Sequence, residues 1–374
     1  MTLTPQQGAG PQARFEVTRA PLELGEAGAV VECWTLRAGA FEATVLTHGA
    51  ILHTVSVPDR AGAVAQVLLS PADPAQIPGP ARHYGSTVGR YANRIADSRI
   101  TLDGVTHELA PTGSGVTLHG GPEGFSDRLW TAREVTDDER VGVELHLHSP
   151  DGDQGFPGAL DLWVTYLLDP AGELAIGYRA VTTRPTVVNP TNHAYFNLAG
   201  EGSGDVLGHL LTVDADAYTP TDERQIPFGP FEPVADTPFD FRTARPIGAA
   251  IGEDHPQLRG TGGYDHNWVL RPRPVDGLPA RAALLADPVS GRTLEVLTTE
   301  PGLQVYTANS FHGEVSGAAG VPYGPFAGVA LETQHHPDSP HQAGYPSTIL
   351  RPGEEFRSLT VLRFGCGFPS SHTV

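Results

Sequence analysis

Lysine is absent: all 24 basic residues among the 374 are arginine. A chain without lysine cannot form a Schiff base with a carbonyl substrate or tether pyridoxal phosphate. Nor can it build a P-loop, whose lysine is obligatory. Cysteine is almost absent too. Cys33 and Cys366, one near each end, make neither a disulfide framework nor a thiolate metal site. Apolar runs are short, and none approaches the roughly 18 residues that a membrane span needs. The opening MTLTPQQGAGPQARFEV has neither the charged nor the apolar region of a signal peptide. Positive charge is scarce: 43 acidic residues outweigh the basic ones to give a net charge of −19. That balance repels phosphate backbones and anionic membrane surfaces. The expectation is a soluble, cytoplasmic protein with no nucleic-acid or membrane partner.

Sustained 3.6-residue periodicity is also missing. Turn formers are plentiful instead, with 44 Gly and 34 Pro making up about a fifth of the chain. In 141–148, Val141, Val143, Leu145 and Leu147 alternate with Gly142, Glu144, His146 and His148. The segments 160–168 and 174–180 repeat that period of two, which marks antiparallel sheet with one face on a core. His146 and His148 then fall on an outer face. The class is all-β. The length alone allows two domains, but the pattern favours a flexible tail over 1–14 and a single β-sandwich domain over 15–374.

The densest polar stretch is VVNPTNHAYFNLAG at 187–200, which sets Asn189, Thr191, Asn192, His193, Tyr195 and Asn197 among apolar neighbours. Such groups cannot all face a dry core. They either cap backbone in a turn or floor a polar pocket in which His193 titrates. Arg90, Asn93 and Arg94 sit among small residues in YGSTVGRYANRIADSRITLDG, which closes with a hairpin signal at Asp103-Gly104. They form a solvated face, a carboxylate partner, or a guanidinium fork for hydroxyls.

His119 precedes Gly120-Gly121, whose bare backbone would let a ligand come close. Asp240 in TPFDFR reads as a buried anchor for Arg242 or for turn amides rather than as a catalytic group. Asp265 opens an apolar strand, where it either caps a turn or binds a ligand. Gln304 and Tyr306 share one face of the strand in TTEPGLQVYTANSF. Glu332 emerges from the apolar run Val329-Ala330-Leu331, either ion-paired or poised for proton transfer. His335, His336 and His341 match no metal-ligand spacing, and no HExxH occurs, so no metal is expected.

Eight segments between Tyr84 and Phe364 occur in the order found in the aldose 1-epimerases. They are YGSTVGRYANRI, LHGGPEGFSDRLW, SPDGDQGFPG, NPTNHAYFNLAG, TPFDFR, GYDHNWVL, TTEPGLQVYTANSF and GVALETQHHPD. The chain resembles that family. The resemblance implies a large antiparallel β-sandwich of the galactose mutarotase type, with a sugar cleft on a sheet face. It implies Glu332 as general base and His193 as general acid, with Asn93, Arg94, His119, Asp265 and Gln304 holding sugar hydroxyls. No cofactor and no metal is implied. The only partner would be a free hexose such as glucose or galactose, taken by a monomer or weak dimer. The departures from the family pattern are His336, where an aromatic is expected, and HQAGYPS at 341–347.

The chemistry fits those residue types: one group removes the C1 hydroxyl proton while another protonates the ring oxygen. Nearby carboxylates are expected to raise the pKa of His193. Two other classes use similar residues. A glycoside hydrolase needs two carboxylates about 5–9.5 Å apart, for which Asp265 and Glu332 would be the pair. A silent sugar-binding module would keep Arg94 and Asp265 without needing an acid–base pair. An epimerase of hexose 6-phosphates would require further cations at the phosphate.

Overall fold

The alternation read at 160–168 becomes one strand of a nine-stranded antiparallel sheet. In the computed structural model, which describes residues 15–24, 30–113, 115–272, 275 and 277–367, Leu160–Leu168 lies between Val141–Ser149 and Glu173–Thr182. The sheet continues through Phe356–Cys366, Arg292–Thr298 and Ala280–Ala286. Leu160, Leu162, Val164, Tyr166 and Leu168 all turn inward. Burying each such large side chain contributes about 1.5–3 kcal/mol.

The opposite layer is a six-stranded antiparallel sheet. Its order is Tyr195–Phe196, Val329–Gln334, Gly302–Tyr306, Asp265–Leu270, Ala215–Tyr218 and Glu232–Pro233. Leu303, Val305, Val329 and Leu331 project from it into the core shared with the first sheet. Thr333 and Thr360 join the two layers through a 2.6 Å hydroxyl contact. The odd-numbered side chains of Val329–Gln334 therefore face the core, and Ala330, Glu332 and Gln334 face the other way. A five-stranded sheet formed by 15–23, 30–38, 41–46, 51–58 and 64–66 packs Trp34, Leu36 and Val45 onto the same core.

Most sequence readings are met. The hairpin at Asp103-Gly104 exists, with both turn residues at positive φ (51° and 81°) between Arg99–Leu102 and Val105–Glu108. His146 and His148 lie on the outer face and share Asp161. Asp240 grips the Arg242 guanidinium at 2.6 and 2.8 Å. The longest helix among the described residues is the single turn Pro256–Arg259. The tail read over 1–14 lies outside the described residues.

Candidate active site

The register of the six-stranded sheet sets the floor of the site. Gln304 pairs with both Asn267 and Glu332, and Asp265 pairs with Tyr306. Partners in register share a face, so Asp265, Gln304, Tyr306 and Glu332 project together, away from the core.

One wall comes from Arg94–Ala96, paired with Val116–Leu118. Asn93 and His119 flank this pairing, both in left-handed backbone (φ 61° and 53°). The His119 N–H donates to the Asn93 carbonyl at 3.1 Å, and the Asn93 N–H donates to His119 Nδ1 at 3.2 Å. Gly120 is required here: a Cβ at its φ of 85° would sit 1.9 Å from the Gly89 carbonyl. The glycine beside His119 thus admits protein backbone rather than a ligand, which corrects the reading above.

The other wall is the 187–200 stretch. Most of its polar groups satisfy backbone. Asn189 Oδ1 accepts from the His335 N–H (2.9 Å), Thr191 donates to the Thr333 carbonyl (2.8 Å), and Asn192 Nδ2 donates to the Gly85 carbonyl (2.7 Å). Asn197 holds the Ala327 and Gly204 carbonyls. Both readings of the stretch are therefore partly right, because only His193 and Tyr195 from it line the cavity. His193 is fixed through its backbone, which bonds Ser86 and Gly85 at 2.9 Å.

The cavity between these walls measures about 360 Å³. Asn93, Arg94, His119, His193, Asp265 and Glu332 line it. Gln304 does not. Its Nε2 donates to Asp265 Oδ1 at 2.7 Å, and its Oε1 is buried without a hydrogen bond. Arg90 is also elsewhere, buried and holding the carbonyls of Pro157 and Gly158 at 3.0 and 2.9 Å. The departures at His336 and 341–347 stay off the cavity wall. His336 meets Asn267, and Gln342 donates to the Pro227 carbonyl.

Among the cavity residues that sequence reasoning missed are His83 and Gln225. The His83 ring lies 5.0 Å from that of His119 and 6.0 Å from that of His193. Gln225 links two recognised groups, accepting from Arg94 Nη2 and donating to Asp265 Oδ2 at 2.5 Å. Both side chains reach the cavity from loops, where no periodic pattern marks orientation.

His193 Nε2 approaches Glu332 Oε1 at 3.5 Å. His193 Nδ1 and Glu332 Oε2 are buried and hydrogen-bond to nothing among the described residues. Burial, helped by the charge of Asp265, holds the Glu332 carboxyl well above the usual carboxylate range. Burial also pushes His193 down to about 4 and His119 well below the usual imidazole range. The expectation that carboxylates would raise His193 is reversed. Withdrawing the imidazolium from water outweighs the Asp265 charge.

The ligand atoms of His119, His193 and Glu332 lie within 4.8 Å of one another, close enough for a metal ion. The tautomer of His119 opposes this. A backbone N–H can only donate, so the Nδ1 facing Asn93 is the acceptor and Nε2 carries the proton. His119 is thereby set as a hydrogen-bond donor toward the cavity, with no lone pair there for a metal. His335, His336 and His341 engage separate partners, namely Glu300, Asn267 and Asp338.

A larger groove of about 640 Å³ opens on the outer face of the nine-stranded sheet. Its Trp163 is stacked by His146 (4.7 Å) and by Arg179 (3.6 Å). In the smaller cavity a buried carboxyl, imidazoles and a guanidinium converge, an arrangement able to donate and accept protons and hydrogen bonds. The Aldose 1-epimerase family profile matches residues 32–363. The chain is 41% identical over 342 residues to the galactose mutarotase of Mus musculus, covering 91% of this chain and 96% of that one. It is 42% identical over 323 residues to the aldose 1-epimerase of Escherichia coli (strain K12), covering 86% and 91%. The crystal structure of galactose 1-epimerase from Lactobacillus acidophilus NCFM superposes with a TM-score of 0.83 at 29% identity, over 95% of this chain and all of that one. The chain belongs to the aldose 1-epimerase family.

Proposed function

We infer that this protein interconverts the α and β anomers of free hexoses such as glucose and galactose, with Glu332 and His193 as the acid–base pair. The observation carrying the reading is that pair: two buried groups 3.5 Å apart, each with an unpaired polar atom, beside hydroxyl-binding side chains.

In ring opening, the Glu332 carboxylate takes the proton of the C1 hydroxyl. The C1–ring oxygen bond breaks with its electron pair on the ring oxygen, which receives a proton from the His193 imidazolium. An aldehyde results, with Glu332 protonated and His193 neutral. Rotation about C1–C2 presents the other carbonyl face, and the reverse proton transfers close the ring. No proton or electron is gained or lost overall. Such acid–base assistance contributes about 10²–10⁴-fold, and positioning by Asn93, Arg94, His119 and Asp265 adds to it. Gln304 acts through Asp265, whose Oδ1 it holds.

Both Asp265 oxygens accept amide hydrogen bonds. The one core joining all three sheets supports treating 15–374 as a single domain. The free Cys33 and Cys366 are in keeping with a reducing, cytoplasmic setting, and we extend the reading to a monomer or weak dimer, which size-exclusion chromatography tests. The decisive experiment is polarimetry of freshly dissolved α-D-glucose and α-D-galactose. The protein should bring rotation to equilibrium faster than buffer alone. An unchanged rate with both sugars overturns the reading.

A further inference from the structure

We propose that Gln225 is a specificity-determining positioning residue, whose amide holds Arg94 and Asp265 apart so that each addresses a hydroxyl of the bound sugar. The proposal rests on the epimerase reading above.

Arg94 Nη2 and Asp265 Oδ2 lie 4.0 Å apart, with side chains only 15% and 19% exposed. Opposite charges that close, partly shielded from water, attract strongly. Left to themselves they favour direct contact at about 2.7–2.9 Å. Gln225 stands between them, its Oε1 accepting from Arg94 and its Nε2 donating to Asp265 at 2.5 Å. Gln304 holds the other Asp265 oxygen at 2.7 Å. A neutral amide thus meets each charge with a complementary dipole, as a pair of sugar hydroxyls would. A guanidinium has five N–H donors and a carboxylate about four acceptor sites, so both keep capacity for substrate.

The loop is built independently of the cavity. Asp222 Oδ1 accepts from the N–H groups of Arg224 (2.8 Å) and Ile226 (2.9 Å). The Gln225 N–H closes the turn onto the Asp222 carbonyl at 2.9 Å. Gln225 itself has a φ of 59°, a conformation uncommon for a residue with a side chain. From the far side, Gln342 Nε2 donates to the Pro227 carbonyl at 3.2 Å. A turn held this firmly fixes where the amide sits. Without that amide Arg94 and Asp265 close on each other, and a sugar must part an ion pair before using either.

The test compares wild type with Gln225→Met, which keeps length but makes no hydrogen bond, and with Gln225→Ala. Melting temperature, kcat and KM for galactose are measured by coupled or polarimetric assay. The expected result is a KM raised about tenfold with kcat changed less than about twofold, since the acid–base pair is untouched. Across a series of monodeoxy galactoses, the KM penalty for losing one particular hydroxyl should be smaller in Gln225→Met than in wild type. A merely structural residue would not move that difference. KM within twofold of wild type in both variants overturns the proposal, as does a fall in kcat at constant KM. An inactive wild type overturns the epimerase reading itself, whereas an active wild type with unaltered variants overturns this inference alone.

Discussion

His193 Nε2 lies 3.5 Å from Glu332 Oε1, and the two side chains are only 6% and 2% exposed. Burial raises the carboxyl and lowers the imidazole, so a single proton shared by the pair rests on Glu332. That is the protonation state which ring opening generates. In the proposed mechanism, ring opening of a cyclic sugar then begins with that proton on His193 and ends with it on Glu332.

This ordering changes the expected pH profile. The productive form carries one proton on the pair, whichever group holds it, so the limbs belong to the pair. As pH falls through about 4, His193 gains a second proton for the pair and kcat/KM drops. As pH rises through the raised Glu332 value, the last proton leaves and kcat/KM drops again. The acid limb should thus be histidine-like and the alkaline limb carboxyl-like, the reverse of what unperturbed values would give. Mutarotation rates across the pH range, with an NMR titration of His193, check this. A His193 resonance titrating above 6.5 in the free protein would sink it.

Removing either proton carrier should stop chemistry while leaving recognition. Glu332→Gln and His193→Asn should each lower kcat by about 10²–10⁴-fold, with sugar affinity by calorimetry changed much less. Near wild-type turnover in either variant means that the role assigned to that residue is wrong.

Arg94→Ala and Asp265→Ala should fold and bind sugar more weakly. Each leaves sugar hydroxyls and a neighbouring amide unpaired, at about 1–3 kcal/mol. The readout is KM together with melting temperature. Unchanged KM and kcat in both would make them scaffold residues.

Acid should destabilise the protein ahead of its carboxylates. Burial depresses His193, His266 and His336 to about 4 in the folded chain, against about 6.5 unfolded. Between those values the unfolded state binds more protons, so stability falls as pH falls, by about 1.4 kcal/mol per pH unit for each imidazole. Glu332 acts oppositely: protonated when folded and ionised when unfolded, it lowers stability as pH rises above its unfolded value. The net expectation is a lower urea midpoint at pH 5 than at pH 7. Equal midpoints would show that these imidazoles titrate normally.

Sequence alone determined the class and the chemistry-bearing residue types. Period-two alternation in 141–148 and 160–168 must put one face on a core, and it did. Glu332 after three apolar residues read as a carboxyl either ion-paired or poised for proton transfer, and it lies buried 3.5 Å from His193. The ordered motifs also named six of the residues that line the cavity. Tertiary structure decided what no spacing encodes. It turned Arg90 into the interior and Arg94, four residues on at the head of a strand, into the cavity. It set Gln304 behind Asp265, and it brought His83 and Gln225 in from loops. It also reversed the expected shift of His193, because a pKa depends on how completely water is excluded. Water exclusion is a property of all the packed elements together, so a list of neighbouring charges read from a sequence cannot supply it.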